Sequence, residues 1–454
     1  MANILEVIQQ ILSTPSILVG LMAFLGLILQ KKPIEDIIKG TIKTVVGFII
    51  IGAGADFIVR SLNYFGVLFN FAFGVQGVVP NNEAIVSLAL VDYANATALI
   101  MAFGMIANIV IARFSNAKYI FLTGHHTLYM ACLIAVVLTV GGLEGTALVI
   151  AGSLILGFTM AIFPALVQST MVKITGDKDL AFGHFGTVGY WLSARIGHLV
   201  GKGSKSTEEM NFPKSLSFLR DTTVAIGLTM MLIFFVVTGL ASVKTGFNPI
   251  MVADQNWVLF AIIQSLSFAG GVYVVLAGVR LLIGEIVPAF RGISEKLVPN
   301  AKPALDCPVV FPYAPNAVLI GFLFSFVGGI VGLAILAMIN VSYPVALILP
   351  GVIPHFFCGA TAGVFGNAEG GRRGAILGAF TQGLLITFLP AILMPVLGTL
   401  GFASTTFSDA DFTVVGIVLG NIANFIRGNG LLAVCVGIFL LPIVVGLFQK
   451  KEKN

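Results

Sequence analysis

Long apolar runs, separated by short clusters of polar residues, set the pattern of this chain. Runs near Ser16–Gln30, Thr44–Leu62, Ala98–Ala112, Tyr119–Val140 and Thr146–Gln168 predict five spans in the first half. The second half opens on Thr222–Val243, 22 residues without a charge. As a helix that stretch crosses a hydrocarbon core of roughly 30 Å. Five spans carry the chain from there to an acidic segment near Asp409, and Leu431–Phe448 forms an eleventh. The runs are long and do not alternate, which excludes a β-barrel. The expected fold is therefore an all-α polytopic membrane protein. Its boundaries are a first repeat over 1–210, a second over 220–430, and a last span with a tail over 431–454.

Two stretches break the pattern. Phe65–Leu90 and Ser294–Pro315 mix apolar residues with proline, asparagine and acids, at matching places in the two halves. Irregular backbone at membrane depth is tolerated only inside protein or beside a watery cavity, so both are expected to be re-entrant hairpins. The halves also echo one another in detail. Gly47–Gly54, Val79-Pro80-Asn81, Tyr93-Ala94 and His125-His126 are followed by Gly271–Gly278, Val298-Pro299-Asn300, Tyr313-Ala314 and His355 in the same order. Five spans per half is an odd number, so the repeats must be inverted in the membrane. Transporters built this way hold their substrate between the repeats.

Composition agrees: 57% of residues are hydrophobic and 10% charged, against about 25% charged in soluble proteins. The mean hydropathy is +1.02. The 52 glycines fit close helix packing and broken helices. The first apolar stretch lacks a basic segment before it and ends at Lys31-Lys32, unlike a signal peptide. Cys132, Cys307, Cys358 and Cys435 are scattered and have no metal-binding spacing. No nucleotide motif is present, and no cofactor, metal or nucleic acid is expected. The net charge of +5 sits in clusters: Lys31-Lys32, Arg113 with Lys118, Lys173–Arg220, Arg372-Arg373 and the tail. The connectors Gly141–Gly145 and Gly401–Asp411 carry acids alone. The positive-inside rule then puts the N-terminus outside and the C-terminus in the cytoplasm. Asp179–Lys205 reads as amphipathic, with Tyr190 and Trp191 as interface anchors.

Ionisable groups inside apolar segments are functional suspects. Asp306, in Pro303-Ala304-Leu305-Asp306-Cys307-Pro308, is flanked by helix-breaking prolines and suits a sugar hydroxyl. His125, in Leu122-Thr123-Gly124-His125-His126, can donate and accept near neutral pH. Its repeat-mate is His355, and His184 faces the cavity from the basic side. Glu83, Asp92 and Glu369 are weaker candidates. Asp56 and Arg60 read as a structural pair four residues apart. Glu369, before Gly370-Gly371-Arg372-Arg373, marks a docking or gating turn or a positive-inside anchor.

Lys39–Phe48, Leu122-Thr123-Gly124-His125, Gly183-His184, Ala304-Leu305-Asp306-Cys307, Tyr313–Val318 and Ala360-Thr361-Ala362-Gly363-Val364-Phe365 together resemble the membrane component, enzyme IIC, of the ascorbate-type phosphotransferase system. The resemblance implies eleven spans in two inverted repeats with two re-entrant hairpins. It implies a core domain that carries the sugar as an elevator against a V-shaped scaffold, and a homodimer in lipid. L-ascorbate would be phosphorylated by a separate IIB subunit bearing a phosphocysteine, itself supplied by IIA, enzyme I and HPr. The family's substrate contacts match His125, His184 and Asp306; Ala360 and Thr361 lie in a matching motif. Ascorbate-handling members have glutamine where this chain has Tyr129 and Phe185, which opens the site to another sugar, a pentitol or a hexitol. The competing readings are an ion-coupled secondary transporter, using Asp306 or Glu83 for a proton or sodium ion, and a passive channel or receptor.

Overall fold

Backbone in a hydrocarbon core has no water to bond, so it must be helical or paired. The computed structural model, which describes residues 15–74, 77–210, 221–245, 255–402 and 404–451, meets that demand both ways. The first half runs α1 (Pro15–Leu29), α2 (Ile34–Phe73), β1 (Gly77–Pro80), α3 (Asn82–Phe114), β2 (Tyr119–Phe121), α4 (Gly124–Val140), α5 (Gly145–Thr175), β3 (Ala181–Phe182) and α6 (Thr187–Val200). The second runs α7 (Thr222–Thr245), α8 (Trp257–Leu297), β4 (Lys302–Leu305), α9 (Pro315–Asn340), β5 (Leu347–Ile348), α10 (Ala360–Leu393), β6 (Thr405–Thr406), α11 (Ala410–Phe425) and α12 (Asn429–Lys451). A π-helical turn, His355–Gly359, leads into α10. The basic residues Lys214, Arg220 and Lys453 lie outside the described residues.

Eight windows among the described helices are long and apolar enough to cross a bilayer, so the chain is a multi-pass membrane protein. The window His355–Val396 holds two arms rather than one. Helical φ/ψ is lost at Gly370 and Gly371, and a Cβ built on Gly366 would lie 2.3 Å from the Gly374 carbonyl oxygen. Eight residues of straight helix would separate those positions by about 12 Å, so the chain turns back on itself there. Helices α4 and α11 are apolar but shorter.

The six strands among the described residues are the feature that an all-α reading leaves out. None exceeds four residues, and they form two parallel sheets in the orders β5-β1-β6 and β2-β4-β3. Strand β4 begins 225 residues after β1 (302 against 77), β5 228 after β2 (347 against 119), and β6 224 after β3 (405 against 181). Exchanging each strand for its counterpart turns one sheet order into the other. The stretches expected as hairpins are these passages: each runs from the end of a long helix (α2, α8) through a central strand (β1, β4) to the next helix. Tight pairing sets one residue choice: a Cβ on Gly183 would lie 2.5 Å from the Ala304 carbonyl oxygen.

Side chains from neighbouring helices close the outer edges of the β2-β4-β3 sheet. The Asn108 amide of α3 donates to the Tyr119 carbonyl and accepts from the Phe121 N–H, both at 3.1 Å, as a further strand would. Gln168 of α5 donates to the Leu180 carbonyl at 2.9 Å, just ahead of β3. These polar residues sit inside apolar helices because an unpaired strand edge at this depth is costly.

Packing joins the two halves. The long helices α2 and α8 lie against each other, α3 packs on α5, and α10 packs on both α6 and α9. Where α6 meets α11, Asp411 caps α6 from outside the helix: its carboxylate accepts from the Thr187 N–H, the Thr187 hydroxyl and the Val188 N–H. Glu208 likewise accepts from the Asn316 and Ala317 N–H groups at the start of α9. The turn at Glu369 is tied down: the carboxylate meets Lys173 Nζ at 2.7 Å, and Arg372 Nε donates to the Ser206 carbonyl. The Tyr190 expectation is corrected: the ring is fully buried, because α6 is held within the fold. Trp191 is half-buried, with Arg195 over its ring at 5.4 Å. The four cysteines are buried and free.

Removing the α6 cap leaves two backbone donors without an acceptor. Asp411→Ala is expected to lower stability by about 2 kcal/mol, read as a fall in melting temperature in detergent, with Asp411→Asn recovering much of the loss. An unchanged melting temperature for the alanine variant would contradict this capping role.

Candidate functional site

In parallel sheets the C-terminal ends of the strands lie on one edge, the usual place for a ligand. Here both sheets deliver their chemistry from that edge. After β2 come His125 and His126, after β3 His184, and after β4 Asp306; after β1 come Asn82 and Glu83, and after β6 Ser408 and Asp409. These residues meet in one cluster. His125 Nε2 lies 3.5 Å from Asp306 Oδ2. His184 Nε2 lies 4.0 Å from Asp306 Oδ1 and 3.8 Å from Asp409 Oδ2. His126 Nε2 is 3.8 Å from the same Asp409 oxygen, and the rings of His126 and His184 are 3.9 Å apart.

None of these approaches has the ~2.7–3.2 Å of a closed hydrogen bond. Imidazoles and carboxylates face each other across gaps that a hydroxyl group, donor and acceptor at once, can bridge. The cluster is graded in exposure. The Asp306 side chain is 34% exposed and that of His125 18%, whereas those of His184 and Asp409 are nearly closed off. Entry is therefore past Asp306 and His125.

The inner residues are fixed by their own partners. The Phe185 N–H donates to His126 Nδ1 at 3.1 Å, so the neutral ring carries its proton on Nε2, facing Asp409. Tyr190 Oη bonds His184 Nδ1 at 2.8 Å. The Asn82 amide donates to Asp409 Oδ1 at 2.8 Å, and the Ser408 hydroxyl donates to the same atom at 2.6 Å. Thr123 donates its hydroxyl to the Gly183 carbonyl, tying the two histidine-bearing strand ends together.

The residues singled out in the sequence divide. His125, His184 and Asp306 meet directly. Tyr129 is buried behind them, its ring 5.8 Å from that of His125 and its hydroxyl 3.5 Å from Glu83 Oε1. Glu83 Oε2 is buried without a hydrogen-bond partner. Phe185 is buried with its ring stacked on Phe121 at 4.5 Å, and it serves the cluster through its backbone. Ala360 and Thr361 are buried at the start of α10, the Thr361 hydroxyl donating to the Phe357 carbonyl. His355 is buried elsewhere, bonded to Ser325 Oγ at 2.8 Å. Asp92, Asp56 and Arg60 are exposed.

His126, Asn82 and Asp409 are the additions. Asp409 and Asp411 stand in a segment read as an external connector, yet they are 3% and 0% exposed. Their hydrogen bonds draw them inward, so they do not count as loop acids. The spacing of the halves held the signal: 224 residues, the β3-to-β6 offset, separates Phe185 from Asp409 and Thr187 from Asp411.

His126, His184 and Asp409 bring ligand atoms within 4.8 Å of one another, as a metal site would. The tautomer argues against one. A metal on His126 Nε2 needs the lone pair that the Phe185 N–H assigns to Nδ1 instead. Zinc or chelator added to the purified protein is accordingly expected to leave its melting temperature unchanged, whereas stabilisation by zinc that disappears in Asp409→Asn would overturn the tautomer assignment.

Sequence comparison agrees with this architecture. Residues 10–411 match the EIIC-GAT family, described as the PTS system sugar-specific permease component. A relative from Mycoplasma pneumoniae, the ascorbate-specific PTS system EIIC component, is 28% identical over 428 residues. That match covers 82% of this chain, and the chain spans 63% of the relative's length.

Proposed function

Because this chain belongs to the sugar-specific permease family of the phosphotransferase system, we propose that it carries a sugar or polyol across the bacterial cytoplasmic membrane for phosphorylation by a separate IIB subunit. One observation supports this reading above the rest: the C-terminal strand ends of both sheets converge on a cluster whose imidazoles and carboxylates face one another at 3.5–4.0 Å without a closed hydrogen bond between them. His125 and His126 supply donors, and Asp306, Asp409 and the unpartnered Glu83 Oε2 supply acceptors. L-ascorbate, the substrate in the relative's name, is one cargo. The number of acceptors also suits a neutral pentitol or hexitol, whose hydroxyls all donate. Ascorbate is an anion at neutral pH and meets three carboxyl groups here.

The matching strand orders and offsets support two repeats, inverted in the membrane. The long α2–α8 pair suits a scaffold, and α6, α9 and α10 suit a core that moves against it. A site made by both repeats lies where alternating access requires it. The clusters of basic residues support an external N-terminus and a cytoplasmic C-terminus. The IIB subunit, phosphorylated by IIA, then meets the sugar on the inner face.

Uptake into cells or vesicles is expected to require phosphoenolpyruvate and the partner components and to deliver sugar phosphate. Uptake that persists without them, and collapses with the ion gradient, would instead mark an ion-coupled transporter. Asp306→Asn and His125→Ala are expected to weaken binding of the transported sugar at least about a hundredfold while leaving the fold intact; wild-type affinity in either would remove that residue from the site.

A further inference from the structure

A pocket that shares no lining residue with the histidine cluster lies where α3, α5 and α12 meet. It has a volume of about 330 Å³ and is lined by Phe158, Ile162, Leu441, Pro442 and Val445, with Ser115 and Asn116 at one end. An apolar cavity of about 150 Å³ already holds benzene, so this one accepts several carbons of an alkyl chain. It sits between helices that are each long and apolar enough to span the bilayer.

The surroundings of its polar end select a head group. Arg113, exposed in the last turn of α3, comes just before Ser115. Lys118 follows, donating Nζ to the Ala112 and Arg113 carbonyls at the end of the helix. The Lys302 amide donates to the Lys118 carbonyl, bringing a third base to this level. A Cβ on Gly446 would lie 2.9 Å from the Ser115 Cα, so α12 reaches this end of the cavity. In the sequence, Lys450 and Lys451 follow Gly446 by four and five residues. Between Asp92 and Glu144 the chain carries no acid, and α5 and α12 carry none.

We infer that this is a binding site for an anionic phospholipid, with an acyl chain in the cavity and the phosphate beside Arg113. Basic pockets between membrane helices recognise such head groups, and the apolar cavity gives the tail a fixed seat. The site is independent of the substrate reading, since none of its residues belongs to the histidine cluster. A bound lipid would join α12 to α3 and α5.

The test is lipid retention by the purified, detergent-solubilised protein, measured by native mass spectrometry against phosphatidylglycerol and phosphatidylcholine of the same chains. Wild-type protein is expected to retain phosphatidylglycerol about tenfold better. Arg113→Gln should cut that preference several-fold, and Ile162→Trp, which fills the cavity, should reduce retention of both lipids. The melting temperature of each variant without added lipid reports whether it is folded. Equal retention of the two lipids by the wild type, or a preference unaltered in folded Arg113→Gln protein, would overturn the inference.

Discussion

Non-helical backbone at membrane depth must find its own hydrogen-bond partners, and the rest of this structure depends on how that demand is met. Six short strands cannot stand alone in hydrocarbon. They pair across the two halves of the chain, so that each central strand, β1 or β4, is flanked by two strands from the other half. Asn108 and Gln168 complete the outer edges of the β2-β4-β3 sheet. The pairing holds distant segments together and aligns their C-terminal ends, which is where His125, His184, Asp306 and Asp409 emerge.

The same constraint explains the chemistry of the cluster. Where a strand ends and a helix begins, backbone donors and short polar side chains become available. Phe185 spends its N–H on His126 and so fixes the proton on the far nitrogen of that ring. Asn82 and Ser408 hold one oxygen of Asp409, leaving the other facing two imidazoles. Asp411 stabilises the first turn of α6 by accepting from its first two N–H groups and from the Thr187 hydroxyl. The site is thus preorganised in its inner residues and open at Asp306 and His125, an arrangement that suits a ligand rich in hydroxyls.

Much of this was legible in the sequence because apolar length and order of landmarks are physical constraints. The runs at Thr146–Gln168 and Leu431–Phe448 lie within α5 and α12, whereas the echo is looser than the strands: Val79-Pro80 lies in β1, but Val298-Pro299 precedes β4. Asp306 and His184 stood out as ionisable groups in apolar surroundings. The strands did not, since two to four residues between prolines and glycines show no period of two. Asp409 was misplaced because a charge beside an apolar run looks the same whether it faces water or turns inward. Tyr190 looked like an interface anchor for a similar reason: only the packing of α6 against α10 shows that its ring is enclosed.

The central claim is that both halves build one binding site for a polyhydroxylated solute. Thermal stabilisation of the purified protein by ascorbate, pentitols, hexitols and free sugars tests it most directly. One member of that panel is expected to stabilise the wild type, by about 2.7 kcal/mol at a hundredfold excess over its Kd. The effect should be lost in Asp306→Asn from one sheet and in Asp409→Asn from the other. Stabilisation by none of these solutes, or stabilisation that survives both substitutions, would contradict the account.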